Sequence, residues 1–413
     1  MLKTIYNNML STKLKLLAAI ASLCLASLSS LAAGPLKVFI LCGQSNMQGH
    51  AHISTFEVME LDPKAKPLLE AMVDENGEPR VLEDVWISSL GSSEAEKIGQ
   101  LTAGYGADKR GVRIGPEFTF GIYMHKALNE PILLIKTAWG GKSLHTDFRP
   151  PSAGPYTFNK KAIERLTSKG EDVEAAQAKR SEASGHYYRL MLEQVEKVLG
   201  DIKRVYPDYD ASKGYELAGF VWFQGWNDMV DGGVYPDRYN PGGYDDYSKL
   251  LAQFIKDVRN DLSAPELPFV IGVMGAGGPT ELYGPGKKRY KGVHQHFRDA
   301  MAAPAALPEF QGNVIAVQTE NYWDMELDAL RAREGEIKGQ IKKLQLKVKQ
   351  GKLNKEELKK TEAKLYDDAF SEREMTILKK GASNFEFHYL GSAKILGQIG
   401  KAFAEANAEL LKK

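Results

Sequence analysis

One serine stands where its surroundings could make it a nucleophile. A short apolar run ends at Gly43, and Ser45 follows in a small polar cluster. The run has the length of a buried parallel strand, and Gly43 and Gly49 free the backbone on either side of the turn. A serine there lies at the carboxyl edge of a sheet, where open α/β folds bind ligands. Taken alone, however, the stretch favours an ordinary strand-to-helix turn with Ser45 as its N-cap.

The stretch Gly-Gln-Ser-Asn-Met over 43–47 resembles the first block of the SGNH hydrolases. The resemblance is to the branch of family-six carbohydrate esterases and sialate O-acetylesterase-like proteins. In that family the serine attacks an ester carbonyl, which makes Ser45 the nucleophile. Further stretches resemble later blocks in the same order, from about Pro35 to Ala404. Their order favours the esterase interpretation over the simple turn.

A serine esterase also needs donors for the oxyanion that forms in the transition state. The second block follows the apolar run 132–135 and contains Gly140 and Gly141. The resemblance implies that one of these glycine amides acts as a donor beside the amide of Ser45, and Gly141 is the preferred one. Glycine suits this place because substrate must approach bare backbone.

The third block follows the apolar run 218–223 and reads Gln-Gly-Trp-Asn-Asp over 224–228. It resembles the family's Gly-x-Asn-Asp block, which makes the side-chain amide of Asn227 the third oxyanion donor. Related esterases often carry glutamate in place of Trp226, so an altered acyl pocket and a sugar-stacking ring both stay open. Asp228 is expected to support the loop. The expected substrate-binding residues are Gln44, Gln224, Trp226 and Trp139.

The last block supplies a histidine. His388 is the one histidine just before the predicted C-terminal helix, and His-Tyr-Leu-Gly-Ser-Ala resembles the end of this branch, so it is the implied general base. Many family members carry aspartate three residues earlier, where this chain has Phe385. Glu386 would share the side of His388 on strand-like backbone and is the expected acid. Glu320, Asp324 or a backbone carbonyl are open alternatives.

Between the first two blocks, Gly-Pro-Glu over 115–117 resembles another stretch of these esterases. Pro116 and Glu117 make a good helix start, so a structural role comes before a site-lining one. His294 and His296 could form a ligand pair, but nothing nearby in the sequence completes a metal site. We therefore expect neither a metal nor another cofactor.

The apolar runs predict the sheet that positions these residues. Five of them resemble buried strands: 38–43, 132–135, 218–223, 269–274 and 314–317. Helical or loop material separates them, which is typical of a parallel sheet with crossover helices. An amphipathic segment at 391–411 would close the structure. The predicted fold is a three-layer α/β/α sandwich, SGNH- or flavodoxin-like, with a central parallel sheet of about five strands and helical insertions.

Three insertions interrupt this pattern. Residues 50–113 are mixed in character and are expected to wrap over the top of the sheet, whereas 160–205 are helical by pattern. In 326–380 a narrow apolar stripe is broken at Gly351, and Asn354 then caps a second helix. This pattern predicts a charged antiparallel helical hairpin. A solvated hairpin without function is the preferred interpretation, and an oligomerisation arm or a lid over the site is the alternative.

Composition limits the class of protein. The chain has 413 residues with 43% hydrophobic content, enough for a large core, and its net charge of +1 gives no reason to expect nucleic acid as a partner. Lysines precede the apolar run 16–31, which ends in small residues. Residues 1–32 therefore resemble a signal peptide, which leaves one esterase domain over 33–413, exported to the periplasm or the medium without stable membrane insertion. Cys42, the one cysteine left, is expected to pack in the core.

Together the blocks indicate an exported serine esterase that removes O-acetyl groups from carbohydrate. The substrate would be acetylxylan, another acetylated oligo- or polysaccharide, or a sialate-like sugar. Two alternatives stay open. The missing aspartate and Trp226 would fit a carbohydrate-binding protein on a catalytically impaired scaffold. A short-chain lipid or small-ester esterase would use the same blocks, because they do not encode the leaving group.

Overall fold

The computed structural model describes residues 34–108 and 111–412, and the predicted signal peptide at 1–32 lies outside them. The strands are β1 Leu36–Gly43, β2 Ala51–His52, β3 Leu82–Leu90, β4 Lys97–Leu101, β5 Arg113–Ile114, β6 Ile132–Ala138, β7 Tyr215–Phe223, β8 Phe269–Val273 and β9 Val314–Gln318. Seven of them form one sheet in the order β4-β3-β6-β1-β7-β8-β9, and β2 pairs with β5.

Strand β1 lies at the centre of the sheet and pairs in parallel with β6 and β7. From Val38 to Cys42 its residues are apolar and buried because helices cover both faces of the sheet. The register places Gly43 opposite both Ala138 and Phe223, so the three strands end level with one another. Residues that follow these strands therefore meet at one edge of the sheet.

All five predicted strands are present, and the predicted fold class is confirmed. The sheet has two more strands because β3 and β4 come from the insertion 50–113. β3 runs parallel to β6, and β4 is an antiparallel edge strand, so part of the insertion extends the sheet sideways. The sequence did not predict β3 because the first half of the strand is partly exposed and lacks a continuous apolar run.

Helices form the outer layers. Their bounds are α1 Ser45–Gln48, α2 Lys66–Met72, α3 Pro116–Leu128, α4 Lys160–Ser168, α5 Val173–Ala183, α6 His186–Gly200, α7 Trp226–Val230, α8 Asp245–Asp261, α9 Lys291–Ala302, α10 Met325–Lys349, α11 Lys355–Ala369, α12 Glu372–Lys380 and α13 Ala393–Leu410. Phe39 and Leu41 pack with α3 and α13, whereas the alternating Val38 and Ile40 pack with α6, α8 and α9.

Helices α10 and α11 form the predicted hairpin. Asn354 and Glu357 make a reciprocal capping box at the start of α11. Tyr366 donates a hydrogen bond to Glu334, and Arg333 donates one to the Ala369 carbonyl, so the helices run antiparallel. Beyond Ile337, which is buried, the hairpin extends into solvent. Its use as an oligomerisation arm stays a prediction. Over 34–108 and 111–412, no helix has the length and apolar content needed to cross a bilayer.

Candidate active site

Ser45 begins helix α1 directly after the central strand. Glycine is required on both sides of this turn. A Cβ on Gly43 would lie 2.2 Å from the Phe223 carbonyl oxygen, and one on Gly49 would lie 1.9 Å from the Gly115 Cα. Gly49 also has a φ of 84°, which few other residues adopt. The close packing on both sides leaves Ser45 half-buried at the carboxyl edge of the sheet.

A buried ion pair holds the end of α1. The Lys136 ammonium and the Glu117 carboxylate are 2.8 Å apart, and both side chains are 0% exposed. Lys136 also donates to the carbonyls of Gln48 and Tyr105, at 2.8 Å each. Burial lowers the pKa of Lys136, and Glu117 opposes that effect. The last residue of α1 is therefore fixed by a charged donor whose other bonds are all satisfied.

Gly140 lies beside Ser45. A Cβ on Gly140 would lie 3.8 Å from the Ser45 Cβ and 2.9 Å from the Gln48 side-chain oxygen. Gly141 has a φ of 77°, and a Cβ there would meet nothing within 4 Å. The structure thus brings the first glycine of the pair against the serine and leaves the second on the open side of the turn.

Asn227 lies in the first turn of α7, after the neighbouring strand. In the amide orientation that satisfies its partners, Gln44 donates to the Asn227 Oδ1 at 2.5 Å and accepts from the Trp226 amide at 3.0 Å. This bond engages the oxygen of the Asn227 amide, so its Nδ2 hydrogens remain to be offered elsewhere. Gln44 therefore orients Asn227 as a donor.

Gln224 and Asp228 tie the third block to the second. Gln224 donates to the Lys142 carbonyl at 3.0 Å and to the Asp228 carboxylate at 2.6 Å. Asp228 also accepts from the Leu144 and His145 amides at 2.8 and 3.1 Å. This network locks the loop after Gly141 onto α7, the loop-supporting role that the sequence suggests for Asp228.

His388 lies in the segment Glu386–Gly391, which packs against α1. Its Nδ1 is 3.0 Å from the Asn384 Oδ1. The Phe385 amide donates to that same oxygen at 2.7 Å, which identifies it as the acceptor end of the amide. His388 must therefore carry its proton on Nδ1, and Nε2 has the free lone pair that a general base needs.

His50 lies flat against His388. The two rings are 3.9 Å apart and inclined by 6°. The Nδ2 of Asn384 is 3.4 Å from the Nδ1 of His50, so one amide bridges both imidazoles. Ser383 donates to the His50 carbonyl at 3.2 Å, which joins the two backbones. His50 thus restrains the plane of the His388 ring.

Both imidazoles are held neutral. Burial and then the positive charge of Arg113 lower the pKa of His388 to about 4. Burial, His388, Arg113 and Lys136 lower the pKa of His50 to about 3. Among the residues that the structure describes, no carboxylate offsets these effects, so His388 is an unprotonated base at neutral pH.

Ser45, Gly140 and Asn227 thus lie at one edge of the sheet, and the segment that carries His388, with an amide as the partner of its imidazole, packs against α1. A family model described as carbohydrate esterase, sialic acid-specific acetylesterase, matches residues 35–322. The chain belongs to that family. As a carbohydrate esterase it is a carboxylic ester hydrolase that acts on carbohydrate acetyl groups. The matched range contains Ser45, Gly140 and Asn227. The helical hairpin follows that range, and His388 comes after the hairpin.

Two solved structures are similar to this carbohydrate esterase. One is a protein from Arabidopsis thaliana, with 17% identity and a TM-score of 0.36 over 69% of this chain and 86% of the other. The second is a carbohydrate acetylesterase from Xanthomonas citri, with 14% identity and a TM-score of 0.35 over 68% of this chain. This chain spans 49% of that second protein. A comparison with curated proteins finds no match.

The structure places the candidate acids of this esterase away from the base. The Glu386 carboxylate is 3.0 Å from the Lys287 ammonium. Glu320 pairs with Arg298, and Asp324 caps helix α10 and pairs with Lys394. Strand-like backbone would have put Glu386 beside His388, but the segment is a tight turn in which alternate residues do not share a side.

The expected substrate-binding residues divide into two pairs. Gln44 and Gln224 are 0% exposed, so their role is to position Asn227 and the loop, and the expectation that they touch substrate is corrected. Trp139 packs edge-on against Tyr187, with ring centroids 5.2 Å apart, and is half-buried. Trp226 is half-buried against Phe387, with ring centroids 5.7 Å apart. Both tryptophans have aromatic neighbours, and those of Trp226 lead through Phe387 to the ring of His388.

Sequence reasoning missed Asn384, His50 and Lys136 as members of the site. Asn384 stands four residues before His388, which is not the spacing of the family acid. His50 directly follows Gly49, at the end of the first block, and its position is the one signal that could have suggested it. Lys136 interrupts the apolar strand β6 and is fully buried there. A lysine inside a buried strand indicates a paired charge.

Proposed function

We propose that this carbohydrate esterase is exported and deacetylates an oligo- or polysaccharide through an acyl-enzyme on Ser45. The observation that carries the proposal is the meeting of Ser45, Gly140 and Asn227 at one sheet edge, with the His388 segment packed on α1. Export rests on the basic and then apolar character of residues 1–32.

In the first step, the Ser45 hydroxyl oxygen attacks the carbonyl carbon of the acetyl group while Nε2 of His388 takes the hydroxyl proton. The Ser45 amide, an amide of the Gly140-Gly141 pair and the Nδ2 of Asn227 hold the developing oxyanion. His388 then delivers the proton to the sugar oxygen as the ester bond breaks. Water, deprotonated by the same nitrogen, releases acetate and restores Ser45.

Asn384 performs the orienting task that a carboxylate performs in an acid-containing triad. It fixes the tautomer and the plane of His388 through its Oδ1. Because it is neutral, it adds no charge stabilisation to the imidazolium that forms during the reaction. The base is therefore oriented but weakly basic, in line with the lowered pKa of His388.

The test is acetate release from an aryl acetate, acetylated xylan and an O-acetylated sialic acid, with wild type and Ser45→Ala. We expect wild type to act on the aryl acetate and on at least one carbohydrate, and the variant to lose about a thousandfold or more. Ser212→Ala, in an exposed turn bonded to Asp210, is the matched control and should keep full activity. Sugar binding without turnover in wild type would instead support the impaired binder.

A further inference from the structure

A row of aromatic rings extends from the general base across the surface. Phe387 contacts His388 edge-on, with ring centroids 4.4 Å apart. Phe385 stacks on Phe387 at 5.4 Å and an inclination of 12°. We call this set, with Trp226, His294 and Tyr290, the ring row, because each ring contacts the next at 5.7, 6.3 and 5.9 Å.

The ring row is open to solvent. Phe385, at the end of the row, is 69% exposed. Tyr239, which lines a hollow together with Trp226, Tyr290, His294 and Phe387 of the row, is 64% exposed. These are the two highest values among large apolar side chains in 34–108 and 111–412. The hollow has a volume of about 780 Å³, within the ordinary range of ligand sites. Exposure of large rings is costly in water, so a cluster of them beside a catalytic base indicates a binding surface.

Two guanidinium groups border this hollow. Arg238 lies over the Tyr239 ring at 5.2 Å, and Arg289 lies over the Tyr290 ring at 4.6 Å. Neither has a carboxylate within ion-pair distance in the described ranges. The hollow also contains Lys287, whose ammonium is 2.8 and 3.0 Å from the carboxylates of Asp328 and Glu386, so that these three groups together carry one negative charge. With the two arginines the net charge around the hollow is positive, and the guanidinium groups are its cations without a carboxylate partner in the described ranges.

We propose that the ring row and its two arginines form a subsite for an acidic glycan chain, with a sugar stacked on the rings and a carboxylate bound by Arg238 and Arg289. Aromatic faces are electron-rich and accept the C–H face of a pyranose ring. Guanidinium groups bind carboxylates through paired N–H donors, and such charged hydrogen bonds are among the strongest in proteins.

The position of the ring row determines which part of the substrate it receives. His388 must deliver a proton to the leaving sugar oxygen, so the alcohol side of the ester lies next to its ring. Phe387 contacts that ring, and therefore a glycan extending from the ester meets the row at once. This inference rests on the proposed function and adds that the substrate is a carboxylate-bearing chain longer than one sugar.

The experiment measures binding by titration calorimetry to the Ser45→Ala variant, which requires no turnover. The probes are acetylated xylo-oligosaccharides with and without a uronic acid branch, matched in length, and an O-acetylated sialyl oligosaccharide. We expect at least one acidic probe to bind about tenfold more tightly than the neutral one, less so in high salt. Comparing the affinities of the two acidic probes then shows whether the bound carboxylate belongs to a uronate or to a sialate.

Arg289→Gln and Arg238→Gln, each added to Ser45→Ala, should abolish that tenfold preference. Arg189→Gln, whose arginine lies on helix α6 and donates to the Ser184 carbonyl, should leave it unchanged. Phe385→Ser should weaken the binding of all three probes. Tyr215→Ser is the control, because Tyr215 lies at the amino end of β7, and it should weaken the binding of none.

Equal affinity for acidic and neutral probes would overturn the subsite, and so would an acidic preference that survives both arginine variants. Hydrolysis of an aryl acetate by the enzyme with Ser45 in place separates this failure from failure of the proposed function. If only the subsite is wrong, wild type still hydrolyses the aryl acetate. An error in the function abolishes it in wild type, while the calorimetric comparison still reports on the subsite.

Discussion

The half of the site that carries Ser45 and the half that carries His388 are built in different ways. Ser45, Gly140 and Asn227 follow three neighbouring strands that end level, and a buried ion pair holds helix α1 behind them. His388 lies in a turn whose next residues, Tyr389 and Leu390, have φ values of 52° and 60°. The turn is anchored by the buried Tyr389, but the His388 imidazole within it is oriented by one amide and one stacked ring.

The difference shows where each half gets its precision. Backbone register in a sheet fixes the nucleophile half, so its side chains need charge mainly to hold α1 in place. The His388 ring lies outside the sheet, and its orientation depends on the side chains of Asn384 and His50 directly. Variants of the groups that position the nucleophile should therefore change stability most, and variants of the groups that position the base should change rate and pH dependence most.

The largest expected effect follows from Glu117→Gln. Removing the carboxylate leaves the Lys136 ammonium buried without its counter-charge, which typically costs about 3–5 kcal/mol in the free energy of unfolding. The loss of stability in the variant should become smaller as pH rises. The buried Lys136 has a lower pKa in the native state than in the unfolded chain, so at alkaline pH the native state releases the proton first and the buried charge disappears. Urea unfolding at neutral and alkaline pH measures this.

The matched control for Glu117→Gln is Glu405→Gln, which breaks the exposed pair with Lys401. It should cost no more than about 0.5 kcal/mol and show little dependence on pH. If the two variants were equally stable, the buried pair would not be what holds the nucleophile half.

Next in size is the effect of Asn384→Ala. Without the Oδ1 acceptor, His388 can adopt the wrong tautomer and rotate, and kcat should fall about a hundredfold with stability almost unchanged. Steady-state kinetics on an aryl acetate, beside a thermal melt, tests this. A fall in stability that matched the fall in rate would point to a merely structural residue.

A smaller effect is expected for His50→Phe, which keeps an aromatic ring but removes the partner of the Asn384 Nδ2. The loss in kcat should be about fivefold to tenfold, the contribution of one hydrogen bond.

The same variant should also change the pH dependence of stability. Native His50 and His388 resist protonation, whereas the unfolded chain takes up protons below its histidine pKa of 6.5, so wild type loses stability as pH falls toward 4. His50→Phe should lose less over that range. An unchanged slope would contradict the assignment of a neutral buried ring at position 50.

The same division explains what the sequence could predict. The five continuous apolar runs indicate β1 and β6–β9 because both faces of those strands are buried, and the residues after them are then brought together by parallel topology. Strands β3 and β4, at one side of the sheet, lack that signal. The role of Asn384 depends on left-handed backbone at Tyr389 and Leu390, which neither residue type indicates, so spacing alone pointed to Glu386.

The central claim is that an amide, in the absence of a carboxylate, orients a weakly basic histidine. The most direct test is the pH dependence of kcat/KM on an aryl acetate for wild type and Asn384→Asp. Wild type should lose activity on the acid side with an apparent pKa of about 4. In Asn384→Asp the introduced carboxylate should raise that apparent pKa by about one to three pH units, because an adjacent negative charge favours the imidazolium. If wild type instead showed an apparent pKa near the ordinary histidine value, and Asn384→Asp did not change it, the claim would be contradicted.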